Sequence, residues 1–231
     1  MEINILAKLS QEIKIAPEFI IREFWEMILL SEFKQLFPSD PFIFKGGTAL
    51  RLAYNSPRFS EDLDFDLRKK ISLPDFEKAV KVIINKYPEL SLKDIADKHY
   101  TMLVQISLKE TGLSRTFSIK IEISKRKIRP SGYYEPKLII SPTTSKQILI
   151  NVAKLEEIEK EKRQAIKTRQ QARDLFDLWY ISQLKKVRWV CPKHSLVPAE
   201  LKRELNKFLP KNYHRVIDSI YEKSRPIRKT K

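Results

Sequence analysis

The sequence predicts an α+β fold, a mixed β-sheet core flanked by helices, followed by a helical and basic C-terminal half. Three observations carry that expectation. Apolar and polar residues alternate through residues 102–108 and 116–124, the period of half-buried strands. A short aromatic and β-branched run, Phe42-Ile43-Phe44, leads straight into a glycine pair. From about Thr144 onward apolar residues recur at helical spacing, interrupted near Pro192, Pro198 and Pro210. The expected division is a core over residues 1–142 and a helical domain over 143–231.

Taken in order, residues 3–37 carry helical periodicity broken at Pro17, which predicts two helices. Pro38-Ser39-Asp40-Pro41 is a turn, and Phe42-Ile43-Phe44 a buried strand. Residues 48–54 form a helix closed by Asn55-Ser56-Pro57, and residues 63–67 alternate at strand period. Residues 74–87 make an amphipathic helix with Phe76, Val80, Ile83 and Ile84 on one side. The two alternating strands follow, joined by a turn around Gly112. A loop at Pro130-Ser131-Gly132 and a short strand at 138–140 close the core.

No apolar run approaches the roughly 20 residues of a membrane span, and Met1-Glu2-Ile3-Asn4-Ile5-Leu6 lacks the pattern of a secretory signal. A single cysteine, Cys191, excludes an intrachain disulfide, and three histidines argue against a Cys/His metal cluster. The chain reads as soluble and cytoplasmic. Its net charge of +16 is uneven: from residue 185 to 231 there are fourteen Lys/Arg against four Asp/Glu. Such a concentration suits a polyanionic partner, because each phosphate contact releases counterions. A generically lysine-rich solvated surface would give the same count.

Two of the chain's four glycines are adjacent, in Lys45-Gly46-Gly47-Thr48. Between a strand and a helix, glycines let backbone amides approach a ligand, so the segment offers amides, a hydroxyl and a helix dipole to phosphate. The bland alternative is a tight turn. In Glu61-Asp62-Leu63-Asp64-Phe65-Asp66 the three aspartates share one strand face and the apolar residues the other. Carboxylates so placed repel unless a cation sits among them, and Mg2+ takes oxygen ligands while keeping positions for water and phosphate. A solvated edge strand is the competing reading, opposed by the apolar Leu63, Phe65 and Leu67.

In Phe117-Ser118-Ile119-Lys120-Ile121-Glu122-Ile123-Ser124 the polar face carries Glu122, a candidate metal ligand or general base. Lys120 beside it is an ion-pair partner or a phosphate contact. Further on, an apolar seam runs through Leu155, Ile158, Lys162, Ala165, Arg169, Ala172, Phe176 and Trp179, with two cations where core residues are expected. Either they snorkel to water or the seam faces a site that wants positive charge, as a triphosphate does. Asp174 follows. On one straight helix it lies about 120° around the axis from Lys162, so joint service requires a break near residues 167–172.

Taken together, Lys45-Gly46-Gly47-Thr48-Ala49-Leu50-Arg51-Leu52, Arg58-Phe59-Ser60-Glu61-Asp62-Leu63-Asp64-Phe65-Asp66, Leu155-Glu156-Glu157-Ile158 with Glu161-Lys162, and Arg173-Asp174-Leu175-Phe176-Asp177-Leu178 resemble the AbiEii/AbiGii family. These are nucleotidyltransferase toxins of the DNA polymerase β-like superfamily. The resemblance spans about residues 42–179 and implies a nucleotidyltransferase-type sheet core, with the helical half completing the active site. It implies triphosphate binding by Gly47-Thr48, with Gly46 adjoining, and metal binding by Asp62 and Asp64. Lys162 and Asp174 correspond to the family's later catalytic pair, and Glu122 is the third carboxylate placed by strand pattern. Arg51, Arg58, Ser60 and Lys162 would position phosphates. Thr48 replaces the family's serine and keeps the hydroxyl.

By the same resemblance the chain would be a toxin of a toxin–antitoxin pair. It would use Mg2+ or Mn2+ to transfer NMP from an NTP to an acceptor hydroxyl, with the 3′ end of tRNA favoured by the basic half. The rivals are transfer to a protein or small molecule, and a non-catalytic nucleic-acid- or partner-binding module on the same fold. The intact Asp62/Asp64 pair, Gly47-Thr48 and Lys162 oppose the second.

Overall fold

The computed structural model describes residues 2–110 and 116–222. The turn expected around Gly112 lies outside them. The N-terminal region forms the two expected helices, α1 (Ile3–Ile13) and α2 (Pro17–Leu36). Lys14 closes α1 in the left-handed conformation, and Pro17 opens α2, where its missing N–H costs nothing. Next come β1 (Phe42–Lys45), α3 (Gly46–Tyr54) and β2 (Asp62–Leu67). Asn55 ends α3 with φ of 58°. The amphipathic helix α4 (Leu73–Lys86) is capped by the Ser72 side chain, which accepts from the Asp75 amide at 3.2 Å.

Five further strands follow: β3 (Leu90–Lys98), β4 (Thr101–Leu108), β5 (Phe117–Ile128), β6 (Tyr134–Ser141) and β7 (Thr144–Ala153). Among the described residues they join one seven-stranded mixed sheet of order β3-β4-β5-β2-β1-β7-β6. The acidic strand β2 is interior, antiparallel to β1 and parallel to β5. Helices α2 and α3 pack on this sheet, burying Ile20, Ile21, Leu50, Ile43, Phe44 and Leu63 completely. Phe33 gathers the rings of Phe37, Phe42, Phe65 and Phe76 around it.

Two strands depart from the sequence reading. Strand β3 carries Ser-Leu-Lys-Asp-Ile-Ala-Asp-Lys, with little apolar alternation and mostly exposed side chains. It is an edge strand held by its ladder to β4, and its charges suit an edge that must not pair further. Residues 144–153, read as the onset of the helical half, are instead β7. Ile148, Ile150 and Val152, two residues apart and all buried, face the core there.

The helical run begins at α5 (Leu155–Thr168), followed by α6 (Ala172–Leu184), α7 (Pro198–Phe208) and α8 (His214–Glu222). The compact units divide accordingly at Lys154/Leu155 rather than at residue 142. The first unit runs to Asn55 and resumes over Phe59–Lys154, and the second joins Ser56–Arg58 to the chain from Leu155. The second unit has its own core, in which Phe176, Trp189, Leu201, Leu205 and Ile220 are buried together. No helix among the described residues is long and apolar enough to cross a membrane.

Candidate active site

In the first unit β1 passes into α3 without a loop. Lys45 is the last strand residue and, by register, the neighbour of Asp64 on β2. Gly46 then takes φ of +79°, which an L side chain rarely adopts. A Cβ at this position would overlap the Asp64 carboxylate, with Cγ 3.1 Å away and an oxygen closer still. The glycine thus lets the helix start directly against the acidic strand. Lys45 provides no side-chain cap for α3, so the positive end of its dipole opens beside β2. Thr48 is fully buried, and its hydroxyl donates to the Asp62 carbonyl at 2.5 Å. That bond ties the first turn of α3 to the start of β2. It also gives the hydroxyl a partner other than the phosphate expected for it.

Leu63 and Phe65 are buried on one face of β2, while Asp62 and Asp64 on the other are half-buried. On β5, Lys120 stands in register with Asp62 and Glu122 with Asp64. The Lys120 ammonium lies 3.0 Å from Glu122 and 3.6 Å from Asp62. Burial lowers the pKa of Lys120, but the charge of Asp62 and the hydrogen bond and charge of Glu122 raise it further, so the net shift is upward. The three carboxylates therefore draw a cation. Among the described residues no His, Cys, Asp and Glu side chains form a closed ion cage of three or more. A Mg2+ held by one or two carboxylates, with water and phosphate completing its shell, does not require such a cage.

Asp66 differs from its two strand neighbours. It is 1% exposed, with Lys45 at 3.0 Å, Arg129 at 2.8 Å and the Tyr133 hydroxyl at 2.8 Å. Burial works against its ionisation, but Lys45 above all, then Tyr133 and Arg129, hold its pKa below the ordinary value. Asp66 is a framework carboxylate.

Three polar residues expected to position phosphate meet different surroundings. Arg51 pairs with Glu23 at 2.7 Å and lies over the Phe59 ring at 3.8 Å. Arg58 is 1% exposed and forks onto Asp177 within the second unit, Nε to Oδ1 at 2.7 Å and an η nitrogen to Oδ2 at 2.8 Å. Both guanidinium groups thus have protein carboxylates as partners. Ser60 is half-buried in the segment preceding β2.

In the second unit the seam does break. α5 ends at Thr168, Gln170 takes φ of 47°, and α6 starts at Ala172. The break brings Lys162 within 3.0 Å of Asp174. Arg169, the other seam cation, forks onto the same carboxylate with two 2.7 Å bonds. Lys162 also reaches Asp177, at 2.7 Å. Burial opposes ionisation of Asp174, but the Arg169 hydrogen bonds and the Lys162 charge prevail and lower its pKa to about 2. Asp177 is lowered likewise, against its burial, by Arg58 and Lys162. Asp177 was not singled out from the sequence. Its spacing of three from Asp174, which sets both on one helix face, is the signal that identifies it.

A mixed sheet with a helix opening directly against an acidic strand is the architecture of a nucleotidyltransferase. The chain belongs to the AbiEii family: residues 28–224 match the family described as nucleotidyl transferase AbiEii toxin of type IV toxin–antitoxin systems. It is accordingly a toxin-family nucleotidyltransferase, with an NTP as substrate and a cognate antitoxin implied. Among solved structures it is similar to JHP933 from Helicobacter pylori, with 27% identity over 73% of this chain and 68% of that one and a TM-score of 0.53. A second Helicobacter pylori protein, a candidate nucleotidyltransferase, is 26% identical over 86% of this chain and 80% of its own, with a TM-score of 0.52. MenT4, a nucleotidyltransferase toxin from Mycobacterium tuberculosis, shares the fold at 19% identity, over 79% of this chain and 64% of its own, with a TM-score of 0.50. No curated protein sequence matches the chain.

Proposed function

We propose that the chain transfers NMP from an NTP to the 3′-hydroxyl of an RNA, with tRNA as the acceptor, and acts in the cytoplasm as the toxin of its pair. The observation that carries this reading is one of register. Asp62 and Asp64 stand half-exposed on β2, Glu122 lies opposite Asp64, and α3 opens against the same strand with no side-chain cap.

In the reaction the acceptor oxygen bonds to the α-phosphorus, the bond from that phosphorus to the bridging oxygen breaks, and pyrophosphate leaves. Asp62 and Asp64 hold a divalent ion, Mg2+ or Mn2+, which when bound supplies charge neutralisation and polarises the phosphate. Glu122 takes the proton of the attacking hydroxyl. The amides at the start of α3, from Gly46 to Thr48, supply an anion-binding helix end. Thr48, Arg51 and Ser60 act as supports of this frame, and Lys162 and Asp174 carry the catalytic roles that membership of the family implies for them. The acceptor assignment is supported by the basic C-terminal half, in which Lys186, Arg188, Arg203, Lys211 and Arg215 are exposed.

Incubation with each labelled NTP, Mg2+ and either total RNA or total protein tests the reading. Label is expected in tRNA-sized RNA. Label confined to protein overturns the RNA acceptor.

A further inference from the structure

In the first unit, strand β5 leaves its ladder to β2 at one point. Asp66 and Leu67 are neighbours on β2, yet their partners on β5 are Ser124 and Ile128, so Lys125, Arg126 and Lys127 bulge out of that ladder. All three inserted residues are cations. Asp97 on β3 pairs with Lys125, while Arg126 and Lys127 are exposed, as is Lys98 at the end of β3. Cations gathered in this way repel one another, and an anionic chain laid across them relieves the repulsion.

The bulge is held at both ends. The Lys125 amide donates to the Tyr100 carbonyl at 2.8 Å, and the Arg129 amide donates to the Leu67 carbonyl at 2.8 Å. The Arg129 side chain grips Asp66. These bonds set the bulge beside the β3–β4 turn, where Tyr100 is 55% exposed. The Arg126 guanidinium stands 5.5 Å from the centre of that ring, and the His99 ring meets it edge-on at 4.2 Å. An exposed aromatic flanked by arginine and lysine is the composition of a single-strand platform, on which a base stacks and phosphates meet cations.

The strand register fixes the distance to the catalytic carboxylates. Glu122, in register with Asp64, precedes Arg126 by four residues, no more than about 14 Å along the strand. At about 3.4 Å per stacked nucleotide, a strand with its 3′ end at the carboxylates would cross the bulge about four nucleotides back.

We propose that the bulge at residues 125–127 and the turn at His99 and Tyr100 dock the single-stranded 3′ end of the acceptor RNA, a base stacking on Tyr100 and phosphates meeting Lys98, Arg126 and Lys127. The inference rests on the RNA-acceptor reading above. It places an acceptor contact in the first unit, on the same sheet as Asp62 and Asp64. The contact reads no sequence, because stacking accepts every base.

The test measures binding of a labelled single-stranded oligoribonucleotide of about ten residues to the full chain across a salt series. Compared are Tyr100→Ala, the pair Arg126→Glu with Lys127→Glu, and a control of equal charge change, Lys78→Glu with Lys81→Glu, at exposed positions of α4. Tyr100→Ala should weaken binding about fivefold or more and keep the salt dependence. The bulge pair should weaken it about tenfold or more and flatten the slope of log affinity against log salt by about 1.4, two contacts at about 0.7 each. Thermal unfolding checks that each variant is folded, and either of the two decides if the other fails to fold. Wild-type RNA binding by the folded variants, with label still entering RNA, overturns this proposal and leaves the acceptor reading standing. A control as weak as the bulge pair means that overall charge alone matters, and the proposal falls. Label confined to protein, with no oligonucleotide bound by the wild type, removes the acceptor reading and this inference together. Labelled polyglutamate is the rival ligand: variants that lose it and keep RNA assign the surface to an acidic protein instead.

Discussion

Gly46 sits where any side chain would collide with the carboxylate of Asp64. With φ of +79° and the Asp64 Cγ 3.1 Å from a built Cβ, the position excludes alanine on two independent grounds. The backbone would be strained, at a cost of about 1–2 kcal/mol for an L residue in the left-handed region. Asp64 would also have to move from its place in the strand face. Gly46→Ala is therefore expected to lower the unfolding free energy by about 1–3 kcal/mol and to lose NTP turnover well beyond the loss of folded protein. Gly132, with nothing within 4 Å of a built Cβ, is the matched control. Gly132→Ala should leave both measurements unchanged, and equal effects at the two sites would contradict the argument.

Asp64 and Asp66 share a strand face but live in opposite surroundings, so the same substitution should separate them. Asp64 is half-exposed beside other carboxylates, and Asp66 is buried among Lys45, Arg129 and Tyr133. Asp64→Asn is expected to fold normally and lose turnover on the order of a thousandfold, from several kcal/mol of lost stabilisation. Asp66→Asn removes the buried charge that Lys45, Arg129 and Tyr133 share and should cost about 3–5 kcal/mol of stability. Chemical denaturation and NTP turnover on both variants check this. A stable Asp66→Asn together with an unstable Asp64→Asn would invert the assignment.

The start of α3 and the acidic strand are legible in the chain, while other parts of the fold are not, for different reasons. The glycine pair in a glycine-poor sequence and the alternation of residues 62–67 are local signals, and the structure keeps them as the α3 start and strand β2. The break between α5 and α6 followed from a geometric condition, that Lys162 and Asp174 can meet only if the helix turns. Strand β3 was hidden because its strand state comes from its ladder to β4 and not from its own pattern. Strand β7 is masked in the sequence because Ile148, Ile150 and Val152 run almost directly into helix α5, which blurs the change of period. The partners of Arg51 and Arg58 lie on other elements, Glu23 on α2 and Asp177 on α6, and no local pattern discloses such pairing.

The charge network of the second unit should show itself in acid. The Asp174 carboxyl is lowered from 3.8 to about 2, so its ionised form is favoured by folding. A depressed carboxyl contributes stability that is present above its unfolded value and is lost as the pH falls from about 4 through about 2. The contribution is roughly 2 kcal/mol at neutral pH. Urea unfolding at pH values from about 6 down to about 2.5 should show the wild type losing stability in that window. Asp174→Asn should start less stable at neutral pH and lose less across it. Parallel curves for the two proteins would remove Asp174 as a source of acid sensitivity.

Glu26 presents the opposite sign. It lies on α2 at 2% exposure, with one carboxyl oxygen that has no hydrogen-bond partner. Burial is the main force on it and pushes its pKa well above 4.5. Arg22 and Arg51 pull it down, while Glu23 and Asp62 push it further up. Folding therefore favours the protonated form. Stability from such a group is fully present below its unfolded value near 4.5 and is lost as the pH rises through the raised folded value. Glu26→Gln keeps the shape and removes the ionisation, so the variant should be more stable than the wild type at alkaline pH. The two should converge as the pH approaches about 4. Because Glu26 acts on Asp62 only through its charge, turnover at neutral pH should change little. Thermal unfolding from about pH 5 to about pH 9 measures the difference, and a variant less stable than the wild type at the alkaline end would mean that Glu26 is buried as a stabilised anion.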